Sequence, residues 1–320
     1  MSFINDDFML STSFAKELYH ESAEKLPIID YHCHLVPKEI ADNIQFTDIS
    51  QLWLGADHYK WRAMRGNGVA EDYITGNRSS WEKFEKWAET MPYAMRNPLY
   101  HWSHLELKRV FDIDDVLKPE TARAIYDKCN AMLPTEEFRG QALIRKFNVE
   151  TVCTTDDPVD DLRYHKEILA KPFGTKVIPA WRPDKAAEVG NPAAFTAYIE
   201  KLAEAADMDI LCFADLLAAL KKRHDYFASV GCKLSDHGMA TFYADDYTED
   251  EIDAIFSNTM AGVVPTEKEA DQFRSAMLYE FAKMDAEAGW VQQFHVGPIR
   301  NNNEKMFRRI GPDSGFDAIY

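Results

Sequence analysis

The residues best equipped for chemistry lie near the start of the chain, in Asp30-Tyr31-His32-Cys33-His34. They follow Leu26-Pro27-Ile28-Ile29, an apolar run that reads as a buried strand. Alternate side chains of a strand share a face, so His32 and His34 point one way and Cys33 the other. Two imidazoles side by side at a strand end can hold one divalent metal, with Zn–N distances of about 2.0–2.1 Å. Two hydrogen-bonded loop histidines would be spelled the same way. The position at the exit of a strand tips the balance towards a ligand pair.

Elements further along the chain repeat that arrangement. Residues 12–24 read as an amphipathic helix, and residues 38–70 as loop-rich, crowded with polar and aromatic groups from Asp57 to Arg65. From about 79 to 147 only helices are expected, opened by the capping box Ser79-x-x-Glu82, by Pro98 and by Pro119. The pattern then alternates. Strands are expected at 149–155, 176–181, 231–235 and 290–294, with helices at about 192–206, 209–229, 249–261 and 266–288. Each strand ends in polar residues: His32 and His34, Asp156 and Asp157, Arg182 and Asp184, Asp236 and His237, then His295 followed by Arg300. Strands alternating with helices imply a parallel sheet, and in (β/α)8 barrels the active site lies at the C-terminal strand ends. No Gly-x-Gly-x-x-Gly or phosphate loop follows any strand, which disfavours a nucleotide-binding sheet.

The bulk composition sets limits. The chain has 320 residues, 46% hydrophobic and 28% charged, enough for a substantial core. A net charge of −17 argues against nucleic acid and against anionic membranes, both of which need basic patches. A small anionic substrate remains open if local arginines bind it. The five cysteines are scattered without a Cys-x-x-Cys, and reduced thiols in a cytoplasmic protein are the simplest expectation. No basic stretch followed by an apolar one opens the chain, so no signal peptide is expected, and no run is long enough for a membrane span.

Longer words are more specific. Asp30-Tyr31-His32-Cys33-His34-Leu35, Asp57-His58-Tyr59-Lys60-Trp61-Arg62, Asn97-Pro98-Leu99-Tyr100-His101-Trp102, Thr154-Thr155-Asp156-Asp157-Pro158, Trp181-Arg182-Pro183-Asp184, Ser235-Asp236-His237, Trp290 through Gln293 to Gly297 and Arg300-Asn301-Asn302-Asn303 resemble the uronate (glucuronate) isomerase family of the amidohydrolase superfamily. The resemblance runs over essentially the whole chain. It implies interconversion of D-glucuronate with D-fructuronate, and of D-galacturonate with D-tagaturonate, in carbohydrate metabolism. The implied fold is an α/β (β/α)8 TIM-type barrel, one domain over residues 1–320 with an all-helical insertion at 70–147 after the first strand. Five of eight βα units are counted. At roughly 30 residues or more per unit, three further units and a Thr-Asp-Ser-Arg stretch carrying the family's metal-binding, proton-transferring Asp would lie beyond residue 320.

An aldose–ketose isomerase needs a base for the C2 proton, stabilisation of the enediolate oxygen and return of the proton to C1. A divalent metal, expected to be zinc, is assigned to His32 and His34, with His295 as third ligand by resemblance. Arg182 is assigned to the substrate carboxylate, which its fork matches, although pairing to Asp184 alone would also explain it. Tyr59, Asp236 and His237 are assigned to proton handling, Asp236 and His237 alternatively to orienting a ligand histidine. His58, Arg300 and Asn301 are assigned to the sugar hydroxyls. A metal-dependent amidohydrolase acting with metal-bound hydroxide, and a non-catalytic remnant, are the competing readings. A small-molecule uronate is the expected partner, and a homo-oligomer stays open.

Overall fold

The computed structural model describes residues 2–319. Two compact units emerge, one built mainly on Asp42–Glu150, joined by residues up to Ile28 and by Ile299–Ala318, the other mainly on Ile29–Ala41 and Thr151–Pro298.

The first unit is helical. It holds α1 (Ser13–Leu18), α3 (Ile49–Leu54), α4 (His58–Gly66), α5 (Ser80–Thr90), α6 (Pro98–Phe111), α7 (Pro119–Met132), α8 (Gly140–Lys146) and α14 (Glu304–Ile310), while the short α2 (Pro37–Ala41) falls in the second unit. Trp53, Met64, Phe84, Trp87, Leu107 and Phe111 form its core. The capping box at Ser79 is present, with Glu82 accepting from the Ser79 backbone at 3.0 Å and Pro98 and Pro119 opening α6 and α7. The stretch expected to be loop is instead largely helical. Asp48 starts α3 by accepting from Ser50 N and Gln51 N, and Asp57 starts α4 by accepting from Tyr59 N and Lys60 N. An aspartate that satisfies two free N–H groups nucleates a helix which polar composition hides. His58 and Tyr59 therefore lie in the first turn of α4, not on a loop.

The second unit is α/β. Its strands are β1 (Ile28–Asp30), β2 (Val149–Cys153), β3 (Lys176–Ile178), β4 (Leu234–Met239) and β5 (Val291–Val296). β1, β2 and β3 are neighbours in that order, and β4 pairs with β5 in parallel, Asp236 opposite Gln293 and Gly238 opposite His295. Trp181 joins the two sets through parallel bridges to Asp156 and Ser235. Around the sheet run α9 (Arg163–Ala170), α10 (Pro192–Ala206), α11 (Phe213–Ser229), α12 (Glu249–Met260) and α13 (Glu267–Ala288). The large core of this unit centres on Trp181, Phe195, Leu220, Phe227, Phe273 and Phe281. A two-stranded pair, β6 (Pro298–Ile299) and β7 (Ala318–Ile319), completes the elements.

Three expectations need correction. Ile28 and Ile29 are 48% and 60% exposed, not buried, because β1 is an edge strand with a strand neighbour on one side only. α9 carries no strong apolar run and was not anticipated. β4 runs past its expected end, so Asp236 and His237 lie within the strand and His295 within β5. Among the described residues no helix is long and apolar enough to cross a membrane.

Candidate metal centre and active site

The strand alternation of β4 decides which residues meet. Ser235 and His237 face one side, Asp236 the other. Asp236 is fully buried, and its Oδ2 lies 3.0 Å from His32 Nδ1 and 3.5 Å from His295 Nε2. The His32 and His295 rings are 4.4 Å apart, and the His34 ring stands 5.0 Å from His32, nearly perpendicular to it. None of the three facing atoms has hydrogen-bond geometry towards a protein partner. Buried nitrogens and oxygens that converge without satisfying one another can serve as the donor set of a divalent cation. Among the described residues His32, Asp236 and His295 form such a group, their ligand atoms within 4.8 Å of one another. Asp236, expected as a proton-handling residue, thus sits at the centre of the cluster, while His34 is beside it.

The histidine segment is pinned from two sides. Cys33 N donates to Cys153 O at 3.0 Å and Thr155 Oγ1 to Cys33 O at 2.9 Å, while Gln293 Nε2 donates to Tyr31 O at 3.1 Å. His32 and His34 themselves lie beyond the end of β1. Burial holds the His32 imidazole below its ordinary value; Asp236 opposes that, and His295 and His34 reinforce it. A neutral imidazole is the form that ligates a metal.

Arg182 flanks the cluster. Its Nε lies 2.9 Å from Asp236 Oδ1 and 3.3 Å from Asp184 Oδ2. Asp184 Oδ2 also accepts from Gly238 N at 2.9 Å. A Cβ at Gly238 would come within 3.3 Å of both Arg182 Nη2 and Asp184 Oδ2, so β4 runs close to this pair. Burial pushes the Asp184 carboxyl up to about 7, with Arg182 working against it. Pairing to Asp184 is therefore real, but Asp236 is the nearer partner.

His237 does not join Asp236. It is 1% exposed and stacks on Phe281 of α13, and its Nε2 lies 3.0 Å from Ser235 Oγ. Ser235 donates to Asp285 at 2.6 Å, and Asp285 meets His224 Nε2 at 3.1 Å. Gln292 Nε2 also lies 3.3 Å from His237 Nε2. Burial lowers the His237 imidazole to about 4. This polar chain of Ser235, His224 and Asp285 escaped sequence reasoning; Asp285 is one of several polar residues, with Gln272 and Ser275, on the buried face of α13. A second buried group was also missed. Thr154 Oγ1 donates to Asp156 at 2.6 Å and meets His165 Nε2 at 2.8 Å.

The other expected site residues belong to the helical unit. His58 and Tyr59 sit with rings 4.4 Å apart, Tyr59 63% exposed. Arg300 Nη1 donates to Asp317 at 2.6 Å, and Asn301 takes a left-handed φ of 54° with its N–H on the same carboxylate at 2.8 Å.

The profile of the glucuronate isomerase family matches residues 1–320. The chain belongs to the uronate isomerase family. A uronate isomerase of Phocaeicola vulgatus is 57% identical over 319 residues, covering 99% of this chain and 68% of that protein. One from Cellvibrio japonicus is 54% identical over 321 residues, covering 100% of this chain and 68% of the relative. The crystal structure of the Thermotoga maritima uronate isomerase superposes with a TM-score of 0.96 at 36% identity, covering 100% of this chain and 70% of that one. That of the Caulobacter crescentus glucuronate isomerase gives 0.91 at 31% identity, covering 96% and 65%. Membership of the uronate isomerase family makes the chain an isomerase, with the α/β fold of those structures.

Proposed function

We propose that this uronate isomerase interconverts D-glucuronate with D-fructuronate, and D-galacturonate with D-tagaturonate, at a divalent metal site held by His32, Asp236 and His295 with His34 alongside. The observation that carries the site is the convergence of unsatisfied buried donors on one point. When bound, the metal, zinc in this reading, acts as a Lewis acid on the substrate oxygens. Arg182 keeps its Nε within ion-pair distance of Asp236 and Asp184, and its remaining donors take the uronate carboxylate. Asp236 sets the charge that balances this arginine. Tyr59 moves a proton at the substrate hydroxyl, and His58, Arg300 and Asn301 bind hydroxyls. His237 remains neutral and backs β4 through Ser235. The five parallel strands are the first βα units of a (β/α)8 barrel, with residues 70–147 as a helical insertion in one domain.

The test is proton exchange at carbon. Metal-loaded enzyme incubated with D-glucuronate in deuterated water should place deuterium at C2, followed by NMR, and yield the ketose. Absence of both exchange and ketose under saturating metal would sink the reading.

A further inference from the structure

The chain between α14 and β7 folds back onto α4. α14 ends at Gly311, which takes a left-handed φ of 83°, and the hydroxyl of the buried Ser314 donates to Gly311 O at 2.9 Å. Arg65 of α4 donates to the Ser314 carbonyl through Nη1. Its other edge grips Glu71 at 2.8 and 2.7 Å, and its guanidinium lies 4.4 Å over the Phe316 ring. One turn earlier, Arg62 donates to Asp317 O at 2.8 Å. The Asp317 carboxylate divides its oxygens between Arg300 Nη1 and the Asn301 N–H. Between these contacts Gly315, at φ 90°, passes so close that a Cβ there would lie 2.5 Å from the His58 carbonyl oxygen.

We propose that Gly315 and Asp317 are positioning residues for uronate binding, a clasp that sets the first turn of α4 and Arg300 in one fixed relation. The proposal rests on the reading of His58 and Arg300 as substrate-binding and of Tyr59 as proton-handling. The Arg300 side chain is about half exposed and long, and would otherwise sample many rotamers. Asp317 removes that freedom before the sugar arrives, which is how preorganisation raises affinity. The residue type matters. One short carboxylate supplies two acceptors, one for a guanidinium and one for a backbone N–H, where an asparagine supplies one. Gly315 is equally constrained, since its φ suits glycine and its neighbour is backbone, which cannot swing away.

The experiment measures kinetics with D-glucuronate in metal-loaded enzyme for Asp317→Asn, Gly315→Ala, Arg300→Ala and Tyr59→Phe, with hydrogen exchange at the α4 amides. Asp317→Asn should raise KM roughly ten-fold, the order of one charge-assisted hydrogen bond, with kcat and the unfolding midpoint nearly unchanged. In an Arg300→Ala background it should add nothing further. Gly315→Ala should raise KM and speed exchange at Tyr59 and Lys60. The clasp is overturned if Arg300→Ala raises KM but Asp317→Asn does not, or if the two effects multiply independently. Failure of the underlying reading looks different: Arg300→Ala would leave KM unchanged and Tyr59→Phe would leave kcat unchanged, and the proposal would fall with it.

Discussion

Two histidines, one buried and one partly exposed, show how the two units use the same side chain. His104, in the helical unit, is 3% exposed and has both ring nitrogens occupied by backbone, Nδ1 at 2.6 Å from Tyr100 O and Nε2 accepting from Leu117 N at 2.9 Å. His32, in the α/β unit, is more exposed, yet its Nδ1 faces Asp236 without a hydrogen bond. Burial alone would rank His104 as the special residue. Satisfaction ranks them the other way: a histidine whose donors and acceptors are all committed holds a fold together, and one whose nitrogen is left facing another ligand is available for chemistry.

Substitutions at the two positions should therefore fail in different ways. His32→Ala should abolish tight binding of one divalent metal and lower isomerisation by more than roughly 100-fold, taking the upper loss for supporting residues as a floor. Its unfolding midpoint in chelator should stay near that of the parent. His104→Leu should leave metal content alone and cost about 2–3 kcal/mol, because Leu117 N–H and Tyr100 O lose their partner in the interior. Metal analysis and urea unfolding of both variants check this. A His104 variant that lost metal, or a His32 variant that unfolded, would break the contrast.

His165 sharpens it, as a buried histidine with a polar partner but no part in the metal group. Burial lowers its imidazole to about 4 from 6.5. The unfolded chain then binds this proton more readily, so its contribution to stability is whole above about pH 6.5 and is lost as pH falls towards 4. The neighbouring Asp156 has the opposite slope. Burial raises its carboxyl from 3.8 to about 7, so its contribution is whole at low pH and is lost as pH rises through that window. The two offset each other in the parent. His165→Gln should leave stability rising as pH falls from 7 to 4.5, by on the order of 2 kcal/mol, measured by urea unfolding across that range. An unchanged pH profile would show that His165 is not held neutral. The smallest effect is expected in the helical unit, where Ser79→Ala removes the α5 cap and should cost about 1 kcal/mol with no change in KM, read by thermal unfolding and kinetics.

Much of this was legible in the sequence for a physical reason. Long helices such as α10, α11 and α13 carry caps or an N-terminal Pro, and polar residues that turns alone do not explain follow β2 and β3 and lie inside β4 and β5. His-x-His was legible as a candidate ligand pair, and the structure brings His32 of that pair together with His295 and with Asp236, expected in proton handling. Asp236 and His237 are adjacent in sequence and look like a pair, whereas strand pleating sends one to the cluster and the other to Phe281 and Ser235. Period two would have separated them had β4 been extended past Ser235. The α4 start was hidden because Asp57, read as part of a polar loop, is a cap. Asp285 and Asp317 were invisible because their partners lie 50 and 16–17 residues away in sequence, and no local pattern encodes such contacts.

The most direct measurement is a divalent metal titration of the apo protein and of Asp236→Asn, followed by calorimetry and by cobalt absorption. The account predicts one tight equivalent in the parent, with a cobalt spectrum perturbed by imidazole ligands, and a loss of at least about ten-fold in affinity in the variant. Equal stoichiometry, affinity and spectrum in both proteins would contradict it, since Asp236 would then stand outside the metal centre.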